Sequence, residues 1–74
     1  MAYLAVEKID NGEVRECIFS RCPQDRYNGE MSDDYSHRFV DESDIPNSRI
    51  YLPNGTIEKL IGYKLEPREL SLYE

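Results

Sequence analysis

Tryptophan is absent from this chain of 74 residues, histidine occurs once, and cysteine, methionine and phenylalanine occur twice each. With 39% hydrophobic residues and no Trp, the core has to be thin. So short a chain forms one domain, 1–74, near the lower limit of independent stability, where a staple or a partner subunit is often required. Basic residues are also scarce, nine against fifteen acidic, for a net charge of -6. The deficit argues against nonspecific binding to nucleic acid or to an anionic membrane, both of which need a basic field. No apolar run is long enough to span a bilayer. The N-terminal Met1-Ala2-Tyr3-Leu4-Ala5-Val6-Glu7-Lys8 has no basic flank, and Glu7 interrupts its apolar run, so it does not read as a signal peptide. A cytoplasmic chain with reduced thiols is the expectation.

The scarcity extends to chemistry. Cys17, Cys22 and His37 are the only thiol and imidazole ligands in the chain. A structural zinc site needs four ligands, commonly as two spaced pairs, so the metal reading is the weakest alternative. One buried strand cysteine and one half-exposed cysteine before Pro23 are expected instead. His37 has Ser36, Asp41 and Ser43 nearby in sequence, but neighbouring strand residues point to opposite faces, so no triad forms. It reads as an exposed strand histidine. Asn54-Gly55-Thr56 lacks the glycine run and Lys-Ser/Thr of a phosphate loop. No enzyme, no cofactor and no metal site is expected.

Six tyrosines, by contrast, are many for this length. Tyrosine combines contact area with a polar tip and suits half-buried sheets and interfaces. The pattern predicts strands first. Residues 2–8 alternate Leu4, Val6 and Lys8 against Tyr3 and Ala5. Asp10-Asn11-Gly12 then predicts a type I′ hairpin turn, whose central residues need positive φ. The return strand, 14–20, has faces Val14/Glu16/Ile18 and Arg15/Cys17/Phe19. Neither face is cleanly polar, so the pattern leaves open which one is inside. Residues 21–34 show almost no periodicity and several turn formers, which predicts the longest irregular stretch. Residues 35–42 alternate as a half-exposed strand, 43–48 read as a loop, and 49–52 as a short strand.

After Pro53-Asn54-Gly55, Thr56 is the expected cap of a short helix. Glu58 suits its positive end, Ile57, Leu60 and Ile61 form its apolar stripe, and Gly62 stops it. Leu70 and Leu72 alternate with Ser71 and Tyr73 as a last edge strand. The predicted class is therefore α+β: a small antiparallel β-meander of about four to five strands, with one short helix packed on one face.

Ala2-Tyr3-Leu4-Ala5-Val6 together with Leu52-Pro53-Asn54-Gly55-Thr56-Ile57-Glu58-Lys59-Leu60-Ile61-Gly62-Tyr63-Lys64-Leu65 resembles small uncharacterised proteins of bacteriophages, prophages and gut bacteria. The resemblance covers about half the chain. The residues after the helix depart from it: Glu66-Pro67-Arg68-Glu69-Leu70 stands where those proteins often carry an aromatic, acidic stretch. The resemblance implies a mobile-element or accessory role. It brings no catalytic residue and no partner.

Residues 25–44 hold seven carboxylates against Arg26 and Arg38, a net of -5 within the chain's -6. A solvated face is the plain reading. The sharper expectation is a noncatalytic protein-binding surface formed by Asp25, Tyr27, Glu30, Asp33, Asp34 and Tyr35. Acidic groups would steer encounter and tyrosines would supply contact. The expected partner is a protein with a basic, nucleic-acid-binding surface, so that this chain acts as an inhibitor without touching nucleic acid or membrane. The alternative is a self-associating structural protein, a homo-oligomer whose thin core is completed through an exposed edge strand.

Overall fold

The computed structural model describes residues 1–9, 11–25, 37–40 and 49–74. In chain order the elements are β1 (Ala2–Lys8), β2 (Val14–Phe19), β3 (Gln24–Asp25), β4 (Phe39–Val40), β5 (Arg49–Leu52), α1 (Thr56–Ile61) and β6 (Leu70–Tyr73). β5-β2-β1-β6 form a four-stranded antiparallel sheet, and β3 pairs with β4 in a separate ribbon. The chain is thus a small α+β fold, as its pattern predicts, with six strands among the described residues. The last strand returns beside β1, so β1 and β2 are the central strands.

The first hairpin has the expected place and a different turn. Lys8 is opposite Val14. The Gly12 N–H donates to the Ile9 carbonyl at 2.8 Å, and the Ile9 N–H to the Glu13 carbonyl at 2.9 Å. Gly12 has φ 84°, while Asn11 does not have positive φ, so this is not a type I′ turn. The turn is a three-residue connection closed by a left-handed glycine. Asn11 works through its side chain, its Oδ1 accepting the Glu13 N–H at 2.8 Å.

Both faces of the sheet are covered, which is why neither face of β2 reads as polar. On one face Leu4 and Val6 pack with Ile57 and Leu65, flanked by Ile18, Leu52 and Ile61. On the other, Ala5, Cys17 and Phe19 pack with Phe39 of the ribbon, flanked by Tyr3. Period-2 alternation sends successive residues of β1 into opposite cores.

Three local expectations need correction. The described part of the strand predicted over 35–42 is β4, plus a single bridge between His37 and Lys8. The stretch predicted as irregular over 21–34 contains β3 at its start, and its remainder, 26–34, lies outside the described residues. His37 is buried rather than exposed, its ring edge-on to Phe39 with centroids 4.9 Å apart. It is covered because the ribbon lies on the sheet.

The helix differs in its cap. Gly55, at φ 96°, is the N-cap, and no side chain at that position caps the helix. Thr56 is already helical, and its hydroxyl donates to the Pro53 carbonyl at 2.6 Å. The capping acceptor comes from β2: Glu16 Oε1 accepts the Ile57 N–H at 2.7 Å, and Glu16 Oε2 accepts the Gly55 N–H. A carboxylate is a stronger acceptor than a hydroxyl and also suits the positive helix end. Gly62, at φ 85°, stops the helix as expected, its N–H returning to the Glu58 carbonyl at 2.9 Å. Of the predicted stripe, Ile57 is buried and Ile61 packs against the core, but Leu60 is 40% exposed.

Candidate functional site

The described residues place one polar cluster in the interior, on the face covered by the β3–β4 ribbon. Its centre is Glu7, 2% exposed on central strand β1. A carboxylate removed from water needs partners for its lone pairs. Arg49 supplies them from β5: its Nη1 donates to Oε1 and Oε2, each at 2.7 Å. The Tyr51 hydroxyl donates to Oε1 at 3.3 Å, and the Phe39 N–H donates to Oε2 at 3.0 Å. Arg49 Nη2 completes the ring by donating to the Phe39 carbonyl at 2.6 Å. The Arg49 guanidinium lies 5.0 Å from the centroid of the Phe19 ring.

The cluster is a clamp. Both backbone groups of Phe39 are held by the Glu7–Arg49 pair, and its ring meets Phe19 edge-on at 6.3 Å. Phe39 is in turn the register partner of Asp25, and Val40 of Gln24. The two ends of the chain between β3 and β4 are therefore brought side by side and tied to the sheet. Burial works against the Arg49 charge, but Glu7 and then Tyr51 outweigh it, and the guanidinium pKa is raised.

Of the residues predicted to form the binding surface, Asp25 lies in β3 at the base of this segment. Tyr27, Glu30, Asp33, Asp34 and Tyr35 lie outside the described residues. The clamp residues Glu7, Arg49 and Tyr51, and the capping Glu16, were not among the predicted ones. Their signal in the sequence is a charged residue inside a run that otherwise alternates apolar side chains, as Glu7 does after Tyr3-Leu4-Ala5-Val6. Such a residue on a central strand demands a partner.

The cysteines do not converge. Cys17 is buried, with its thiol 3.5 Å from the Ala5 carbonyl oxygen, and Cys22 is exposed, beside the Pro23 carbonyl at 3.8 Å. Burial first, and then the Glu7 carboxylate, push the Cys17 thiol up to about 12, against a smaller lowering by Arg49. Among the described residues no group of three or more His, Cys, Asp or Glu side chains is arranged to hold a metal ion.

A groove of about 230 Å³ lies on the opposite side, lined by Val6, Glu16, Gly55, Ile57, Lys64 and Leu65 among others. It is smaller than the ~300–1,000 Å³ usual for small-molecule sites. Both Glu16 oxygens there are engaged by the helix N-terminus. No helix among the described residues is long and apolar enough to cross a membrane. No protein-family model, curated protein or solved structure matches the chain.

Proposed function

We propose that this chain is a noncatalytic binding protein of phage or mobile-element type, acting in the cytoplasm by covering a basic surface of another protein with its acidic, tyrosine-bearing middle. The observation that supports the reading is the clamp. Glu7 and Arg49 hold both backbone groups of Phe39, and Phe39 is paired with Asp25, so the acidic segment springs from a fixed base. Binding residues are commonly carried between elements of a rigid scaffold, because fixed ends reduce the ordering cost of association.

The charge distribution supplies the kind of partner. The window 25–44 holds net -5 of the chain's -6. A concentrated negative field accelerates encounter with a positive surface, such as the nucleic-acid-binding face of a host protein. Tyr27 and Tyr35 supply contact area, and occupancy of that face inhibits the partner.

The test is capture from a bacterial lysate at low and high salt, using the parent and the triple variant Glu30→Gln/Asp33→Asn/Asp34→Asn. The expected result is a basic protein retained by the parent at low salt, released at high salt, and not retained by the variant. If nothing is retained, or if the variant retains the same protein equally well, the proposal is wrong.

A further inference from the structure

We propose that the outer edge of β6 is a self-pairing edge, on which a second copy of this chain docks antiparallel about a two-fold axis and joins the two sheets into one. β6 pairs with β1 on one side, and among the described residues no strand lies on its other side. Its side chains remain open: Leu70 is 39%, Leu72 48% and Tyr73 38% exposed. Edge strands are normally guarded by lysine, proline or a bulge. Leu70–Tyr73 contains neither lysine nor proline, and its register with β1 runs without a bulge. The opposite edge, β5, is followed directly by Pro53, which has no N–H to offer a further ladder.

Self-pairing needs self-complementarity, and the register supplies it. Leu70 and Leu72 are opposite Ala5 and Tyr3, on the ribbon face, while Ser71 and Tyr73 are on the helix face. A two-fold axis normal to the sheet preserves faces, so Ser71 can lie opposite its own copy. Leu70 then meets Leu72 twice, and the entry of each β6 lies beside the exit of the other. The entry carries Arg68 and the exit Glu74. The neighbouring Glu69 carboxylate is turned onto its own turn, accepting the Glu66 N–H at 3.3 Å. Sliding the pair by one step that keeps the faces sets Leu70 against Glu74 and leaves one Leu–Leu pair, Leu72 with its own copy, in place of two.

Arg68 adds a second observation. It is the only non-glycine residue with positive φ among the described residues, at 76°. It follows Pro67 in a turn closed by the Glu69 N–H to the Glu66 carbonyl at 3.2 Å. Glycine would adopt that backbone without strain. An arginine held there carries a backbone cost that a side-chain contact would offset, and Glu74 of the second copy is the contact this register offers.

One strand pair buries less than the ~1,200–2,000 Å² of a standard interface, so a weak dimer is expected, micromolar or looser. Sedimentation velocity of the full chain from about 1 µM to about 1 mM tests it. A dimer should fill in over that range and persist at high salt, where the acidic contact proposed above weakens. Leu72→Lys should weaken dimerisation roughly tenfold or more, while Ile50→Lys on the other edge leaves it unchanged. Arg68→Gly should raise thermal stability and weaken the dimer. Glu74→Arg should also weaken it, and Arg68→Glu/Glu74→Arg should restore it. Amide exchange of the parent gives an independent readout, with β6 amides gaining protection as concentration rises. A monomer at every concentration overturns the proposal. So does a dimer lost in Ile50→Lys and kept in Leu72→Lys.

Discussion

Glu16→Gln is the sharpest perturbation of the fold, because it changes one atom in a group that joins two elements. Glu16 is 9% exposed, and each of its oxygens accepts a main-chain N–H at the start of α1. Glutamine keeps one acceptor and presents an NH₂ to the other donor. The substitution therefore removes one charge-assisted hydrogen bond, worth about 1.5–3 kcal/mol. It also removes a negative charge from the positive end of the helix, worth about 0.3–1 kcal/mol. The expected loss is roughly 2–4 kcal/mol, allowing for the usual spread of such contributions. A chain of 74 residues has about 4–11 kcal/mol in all. Thermal unfolding followed by far-UV circular dichroism should thus show Tm falling by about 10–25 °C. Urea titration should show a lower midpoint at the same m-value. Thr56→Ala is the control, because a threonine cap and a glutamate cap make opposite rankings. With Glu16 as the cap, Glu16→Gln costs clearly more than Thr56→Ala. If Glu16→Gln stays within about half a kcal/mol of the parent, the typical scatter of a surface substitution, the capping argument is wrong.

The clamp and the buried thiol give two further expectations. Glu7→Gln leaves the Arg49 guanidinium without its carboxylate. Breaking a fully buried pair costs about 3–5 kcal/mol, and with Arg49 a quarter exposed about 2–3 kcal/mol is expected by urea denaturation. In a double-mutant cycle with Arg49→Met, a coupling indistinguishable from zero would show that the pair does not hold the ribbon. Cys22 should react with a thiol reagent in the native protein and Cys17 only after denaturation. With Cys17 raised from 9.0 to about 12, the folded state favours the neutral thiol. The stability this contributes is complete below pH 9 and is lost as pH climbs from there toward 12. The stability advantage of the parent over Cys17→Ala should therefore shrink across that window, and an advantage that grows would reverse the sign of the argument.

What the sequence reveals of this fold is what its local pattern can encode. Alternation in Tyr3-Leu4-Ala5-Val6, the Asn11-Gly12 turn, the Gly62 stop and the Leu70/Leu72 edge all depend on near neighbours, and the corresponding elements form where the pattern predicts them. The inside face of β2 could not be read from alternation, since a strand buried on both sides has no polar face to show. The burial of His37 was hidden for a related reason: β3 and β4 are two residues each, too short to display a period. The acidic middle is legible as composition alone. Its tether is not, because Glu7 meets Phe39 and Arg49 across 32 and 42 positions of chain.

The two buried glutamates show why those long-range contacts matter most here. Glu7 and Glu16 sit on adjacent central strands, in β1 and β2, and face opposite sides of the sheet. Each carboxylate accepts main-chain N–H groups from the element that covers its face, Phe39 of the ribbon or Gly55 and Ile57 of the helix. Apolar contacts hold those layers together but tolerate sliding, since the hydrophobic effect has no direction. A carboxylate bonded to particular backbone donors does not tolerate it, because a shift of one residue leaves a buried charge unpaired. In a chain with so thin a core, position is thus set by one charged residue on each face. On the ribbon face that same residue fixes the base from which the acidic segment departs, so Glu7→Gln should lower partner affinity as well as stability. Glu16→Gln, matched for stability loss by adjusting temperature, should lower stability alone.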